Sequence, residues 1–239
     1  MKELPLIYLW YAIPIALLCY LIGCFNFAVL ISHIKKSDIR EIGSGNPGSM
    51  NMTRSFGLKF GAINFFCDLS KGGLPVLISY LVFKNYVFEG TEILVSDFSR
   101  YLCGVCVIIG HIYPVTMKFK GGKGIASTMG LFVFALPCEE WWYFFIVAAF
   151  LLGVLLFIAV TEFGSTGSLI GVTLLPAWQA VIFILRYKEN LKNPLVISML
   201  MLLLIIVFLT WFAHRKNIFR LLAGEEHRTA VRKHKKKEF

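Results

Sequence analysis

Charge is scarce in this chain. Of its 239 residues, 16% are Asp, Glu, Lys or Arg, whereas 57% are hydrophobic. A soluble domain carries about a quarter of its residues charged, so the deficit excludes that class. Carboxylates are rarer than cations, 14 against 24, and Glu162 and Glu225 stand isolated in their loops. No array of hard-metal ligands is therefore expected there. A G-x-S-x-G elbow and a Walker loop are both missing, and with them the signatures of covalent serine catalysis and nucleotide hydrolysis. The six cysteines fall in or beside apolar runs, and the C-x-x-C of Cys103 and Cys106 has no second pair. Neither zinc nor a disulfide framework is expected. No small-residue cleavage site precedes the first charged loop, so the first apolar run is not taken as a cleavable signal.

What is abundant is apolar length. Mean hydropathy is +0.72, and apolar runs recur near the ~20 residues that cross a hydrocarbon core. Seven segments are expected, at about 6–32, 60–83, 98–117, 125–137, 141–161, 169–185 and 194–213. The fold class is all-α, an integral membrane protein built as a seven-helix transmembrane bundle. One domain covers 1–226, and a basic tail follows at 227–239. The fourth segment is short for a full crossing and is expected to be tilted or partly re-entrant. Asp68 and Lys71, inside the second, lie three apart and can pair on one face. Gly167 and Gly171 form a G-x-x-x-G suited to close helix contact.

Seven crossings put the termini on opposite sides. One face collects Lys35, Lys36, Arg40, Arg54, Lys59, Lys118, Lys120, Lys123 and nine cations beyond the last segment, seventeen in all. The other holds six, Lys2, Lys84, Arg100, Arg186, Lys188 and Lys192. The positive-inside rule makes the first face cytoplasmic, with the N-terminus outside and the C-terminus cytoplasmic.

Four polar stretches fall on that cytoplasmic face. They are G-S-G-N-P-G-S-M-N-M-T-R at 43–54, K-F-K-G-G-K-G at 118–124, T-E-F-G-S-T-G-S at 161–168 and H-R-K-N-I-F-R-L-L-A-G-E-E at 214–226. Glycine and proline mark the first as irregular backbone, either an anion cradle or a plain connecting loop. Together the four offer backbone amides, hydroxyls, Arg54, Lys123, Arg215, Arg220 and Asn217, an inventory that suits phosphate. The net charge of +10 then points to lipid headgroups or a phosphorylated substrate, not to nucleic acid. Lys118 and Lys120 are expected to be membrane-surface anchors, and Lys123, between glycines, is the chemical candidate. His111 is either a base or phosphate ligand or a satisfied buried histidine. A phosphate or organic-phosphate transporter would place its charge toward the midplane in broken helices; here the polar stretches lie at one end.

These stretches, with D-L-S-K-G at 68–72 and G-H-I-Y-P-V-T-M-K-F-K-G-G-K-G at 110–124, resemble the motifs of the PlsY family over essentially the whole chain. That family comprises bacterial acyl-phosphate:glycerol-3-phosphate acyltransferases. The resemblance implies seven helices in the bacterial plasma membrane with a cytoplasm-facing site. It implies transfer of an acyl chain from acyl phosphate to the 1-hydroxyl of glycerol 3-phosphate, giving lysophosphatidic acid and phosphate, the first step of phospholipid synthesis. It implies no cofactor, no metal and no obligatory protein partner beyond the lipid bilayer. The leaving phosphate acts as base in the family, in keeping with the missing triad.

Position by position, the resemblance implies catalytic roles for Ser44, Arg54, Lys123 and Asn217. It implies substrate contacts for Gly45, Asn46, Gly48, Ser49, Asn51, His111, Gly121, Gly122, Gly124, Ser165, Ser168, His214 and Arg220. Two departures stand out. Ser49-Met50-Asn51 replaces an expected A-T-N, removing a threonine hydroxyl, and 23–27 reads G-C-F-N-F where the family has G-S-x-P-F.

Overall fold

The structure, a computed structural model, describes residues 1–226. The tail expected at 227–239 lies outside the described residues. A short 3-10 turn leads into α1 (Ala12–Cys24), and α2 (Phe27–Ile34) follows. The single segment expected at 6–32 is thus broken. Phe25 is extended, and Asn26 restarts the chain as a helix by accepting the Val29 N–H at 3.0 Å. Asn is a strong N-cap because its side-chain oxygen satisfies a first-turn donor that the helix ladder leaves orphaned. The carbonyls freed by the break bind Lys71 Nζ, Gly23 at 3.4 Å and Phe25 at 2.8 Å.

The remaining helices are α3 (Ser49–Phe56), α4 (Leu58–Phe83), α5 (Val95–Ile112), α6 (Ile125–Ala135), α7 (Tyr143–Thr161), α8 (Gly164–Arg186), α9 (Pro194–Ala213) and α10 (Arg215–Leu222). A two-stranded parallel patch pairs β1 (Lys2–Leu4) with β2 (Tyr86–Phe88), tying the N-terminus to the α4–α5 connection. Two expected loops are corrected here. The second half of 43–54 is helical, as α3. Most of 161–168 is the start of α8, whose small residues allow contact: Gly167 lies against Ile158 of α7 and Gly171 against Met129 of α6.

Among the described residues, six stretches are long and apolar enough to cross a membrane. The other expected segment is α6, 11 residues continued by a three-residue 3-10 turn. That gives about 20 Å at ~1.5 Å per residue, short of a hydrocarbon core of about 30 Å. α6 is held inside the bundle by glycine. Gly72 of α4 packs on the Ser127 backbone and Gly130 of α6 on the Leu69 backbone, so closely that a Cβ on either would collide with a carbonyl. α5 is the most deeply buried of the long helices, and α7 is almost wholly outward-facing.

The end of the bundle away from the glycine-rich loops is closed by a buried ionic cluster. Arg100, 1% exposed, pairs with Asp97 at 2.5 Å and Glu139 at 2.8 Å and donates to the Ala135 carbonyl. Arg186 bridges the same two carboxylates at 2.7 and 2.5 Å. Tyr187 and Gln179 supply further donors, to Asp97 and Glu139 respectively. Arg100, counted from the sequence as a loop cation, is therefore neutralised inside the protein, and Arg186, counted likewise, is neutralised at its edge with its side chain 32% exposed.

Candidate active site

One buried side chain holds the loop before α3. Asn51 donates from Nδ2 to the carbonyls of Ile39 (3.2 Å) and Ile42 (2.9 Å) and accepts the Ser44 N–H on Oδ1 at 3.0 Å. Its amide is spent within the loop, so Asn51, expected at the substrate, is the loop's pin. Gly43 and Gly45 make the turn possible at φ 62° and 67°, a region costly for residues bearing a Cβ. Ser44 is left exposed with a hydroxyl that has no partner among the described residues, and Asn46 stands half-buried beside Gly48. Gly48 precedes α3 without a side-chain cap, so the N–H groups of Ser49 and Met50 have no intrahelical acceptor. Such a helix start attracts anions.

Ser49 is roped inward. Its Oγ accepts from Asn64 Nδ2 at 3.0 Å, and that amide also donates to Asp68 Oδ2 at 3.0 Å. Asp68 pairs with Lys71 at 2.8 Å, as the three-residue spacing predicted. Met50, at the position of the missing threonine, is exposed, as is Arg54, which has no hydrogen-bonding or ionic partner among the described residues.

The second wall is the loop between α5 and α6. The Gly121 and Gly122 N–H groups donate to the Ile112 and His111 carbonyls, each at 3.0 Å. Both were expected as phosphate donors; they instead fasten the loop to the last turn of α5. His111 is buried behind that loop, its ring against Gly122 and its Nδ1 3.6 Å from Asp68 Oδ1. Gly124, at φ 81°, opens α6 and leaves Lys123 at the loop's inner edge.

The third wall is α10 with the residues after it. Lys123 Nζ donates to Asn217 Oδ1 at 2.5 Å. Asn217 Nδ2 donates to Glu226 Oε1 at 2.7 Å, and the same carboxylate accepts from Ser165 Oγ (2.8 Å) and Arg220 Nε (2.9 Å). Ser168, expected beside Ser165, instead donates to the Gly164 carbonyl of its own helix. His214 is buried and its Nδ1 donates to the Thr210 carbonyl at 2.8 Å. Glu226 was not singled out from the sequence. The available signal was Gly224, whose φ of 72° ends α10 and turns the chain back.

Electrostatics follow from burial. Burial pulls the Lys123 ammonium down to about 8; Glu226 opposes that, while Arg220 and Arg54 reinforce it. Arg54 therefore acts on Lys123 through its field, which places the first and second walls within electrostatic reach. His214 is held neutral, pulled to about 4 by burial and then by Lys123. Burial disfavours ionised Glu226, but hydrogen bonds from Asn217, Ser165 and Arg220 outweigh it and keep the carboxyl below its usual range.

Fold and site together define a polytopic membrane protein with cations and uncapped helix amides at one end of its bundle. The chain belongs to the glycerol-3-phosphate acyltransferase family, whose model matches residues 13–224. It is 37% identical over 217 residues to the glycerol-3-phosphate acyltransferase of Finegoldia magna, covering 90% of this chain and 95% of the relative. To that of Aquifex aeolicus it is 34% identical, covering 91% and 98%. It also resembles the crystal structure of PlsY (YgiH), an integral membrane glycerol 3-phosphate acyltransferase, in its glycerol 3-phosphate form. The TM-score is 0.70 at 29% identity, over 91% of this chain and 95% of that one. The lysophosphatidic acid form of the same enzyme gives a TM-score of 0.69 at 28% identity, with the same coverage.

Proposed function

We propose that this protein transfers an acyl chain from acyl phosphate to the 1-hydroxyl of glycerol 3-phosphate at the cytoplasmic face of a bacterial plasma membrane. The observation that carries the proposal is the Lys123–Asn217 contact. It joins the glycine loop to α10 and sets an ammonium within electrostatic reach of Arg54. Two phosphates need two sets of donors, and the walls supply them: Ser44, Asn46, Ser49 and Arg54 on one side, Lys123, Asn217 and Arg220 on the other. Gly45 and Gly48, expected at the substrate, instead spend their N–H groups on the Ile42 and Asn46 carbonyls at 3.1 and 2.9 Å and shape the loop. Relatives named as glycerol-3-phosphate acyltransferases, and a related structure named for its glycerol 3-phosphate form, support the choice of acceptor.

In the proposed step the 1-hydroxyl oxygen attacks the acyl carbonyl carbon and the carbon–oxygen bond to phosphate breaks. The departing phosphate takes the hydroxyl proton. No protein base is required, because acyl phosphate is already activated and positioning supplies most of the catalysis. Lys123 and Arg54 offset the negative charge that builds on the carbonyl and the leaving group. The bundle makes seven passes, α6 with its 3-10 turn being the short one, and leaves the N-terminus outside. This orientation follows the cation count and suits a soluble acceptor meeting a lipid-tailed donor. The reaction as proposed uses no metal, no cofactor and no obligatory protein partner.

The test is purified protein incubated with palmitoyl phosphate, glycerol 3-phosphate and EDTA, scored for lysophosphatidic acid and phosphate. Equimolar products are expected. Absence of product would return the transporter reading. Near-wild-type turnover in well-folded Arg54→Ala, Lys123→Ala and Asn217→Ala variants would overturn the site assignment.

A further inference from the structure

The loop that delivers Lys123 begins in a backbone conformation that its sequence does not favour. Lys118 and Phe119 are consecutive non-glycine residues with positive φ, 50° and 60°. Such angles are rare outside glycine, and for a bulky residue they are outliers held by surrounding structure. Here a compact turn holds them: Phe119 N–H donates to the Pro114 carbonyl at 2.9 Å and Lys120 N–H to Met117 at 3.0 Å. The turn does not bury the aromatic ring. Phe119 is 59% exposed between two exposed lysines that lack partners among the described residues.

Across the Lys123–Asn217 contact, α10 shows the same chemistry. Its Asn217 and Arg220 serve the site, while Phe219 (70% exposed) and Leu222 (81%) stand three apart on an open face beside exposed Lys216. Both features sit where a spanning stretch ends, at Met117 and at Ala213. That depth is the headgroup layer, where an aromatic or leucine side chain can enter the acyl boundary while lysines stay with the phosphates.

We propose that Lys118-Phe119-Lys120 and the Phe219–Leu222 face of α10 form a two-part docking surface for anionic phospholipid of the inner leaflet, built on the two loops that carry Lys123 and Asn217. Charge complementarity selects the occupant, because lysines flank the apolar tips and no described carboxylate pairs with them. The surface stands whether or not acyl phosphate is the donor, and its test does not read activity.

Phe119 is replaced by the photocrosslinker p-benzoylphenylalanine in the full chain, and the protein is placed in nanodiscs of phosphatidylcholine with or without phosphatidylglycerol. Leu155 on α7, 61% exposed in mid-span, carries the same label as a control for folding and insertion. Mass spectrometry of the adducts is expected to show phospholipid at position 119, with phosphatidylglycerol enriched over its bulk share by roughly five-fold per lysine, the factor a basic side chain contributes at an anionic surface. Lys118→Gln with Lys120→Gln should bring that ratio to the bulk value. The proposal is overturned if position 119 yields no lipid adduct, or only protein adducts, while position 155 labels normally. It is equally overturned if the ratio equals the bulk value at the outset or is unchanged in the double variant.

Discussion

Glu226 fixes which end of the Asn217 amide faces Lys123. Because the carboxylate accepts from Asn217 Nδ2, the amide oxygen is left to receive the Lys123 ammonium. Asn217→Ala, which removes that acceptor, is expected to lower kcat/KM by about 10²-fold, the scale of losing one preorganised electrostatic partner. Glu226→Ala leaves the amide present but free to turn, so a smaller loss, about tenfold, is expected. Steady-state assay of both variants checks the order.

The pH profile should fall on the alkaline side. Lys123 is pulled to about 8, chiefly by burial, so it is largely charged at neutrality and loses that charge above this value. Above it kcat/KM should drop about tenfold per pH unit, and Lys123→Arg, which stays charged, should flatten the limb. Unfolding does not explain such a drop. Between about 8 and the ordinary lysine value of 10.5, the unfolded chain holds the extra proton, so folding stability from this group rises with pH in that window.

The two serines of α8 should separate. Ser165→Ala removes a donor to Glu226 and is expected to reduce activity by a few-fold. Ser168→Ala removes only a bond to its own helix and should leave kcat/KM within twofold of wild type.

Breaking the buried pair of α4 should cost far more than removing it. Lys71→Met strands Asp68 without its ammonium, at a cost of about 3–5 kcal/mol. Asp68→Asn combined with Lys71→Met should recover most of that loss. Thermal unfolding in detergent gives the cycle.

Glycines of the α4–α6 contact form a matched set. Gly72→Ala and Gly130→Ala each push a methyl into a backbone carbonyl and should destabilise by about 1–3 kcal/mol. Gly153 in α7 has open space around its Cβ position, so Gly153→Ala should raise stability by up to about 1 kcal/mol.

The membrane class, the helical segments and the polar stretches were legible because they rest on local signals: apolar run length, glycine clusters and lysine placement. The pairing of Asp68 with Lys71 was legible from a three-residue spacing. What the sequence hid is long-range or a matter of side-chain commitment. Lys123 and Asn217 are 94 positions apart, and only tertiary packing joins them. Asn51, Gly121 and Gly122 look like anion donors by residue type, yet their N–H groups are consumed by carbonyls that composition does not reveal. Asn26 broke a run that hydropathy treats as continuous, since one capping residue outweighs average apolarity. The Gly164 start of α8 was obscured because serine and glycine signal loops except where helix packing rewards small side chains.

The short reach of α6 bears on how the protein meets bilayers of different thickness. Helices that span both surfaces must tilt or stretch the lipid when the hydrocarbon layer changes. α6 instead ends with its Ala135 carbonyl on buried Arg100, so the strut that follows Lys123 is referenced to neighbouring helices. The geometry of the cation is thereby insulated from mismatch, while α7, facing lipid along its length, can tilt to absorb it.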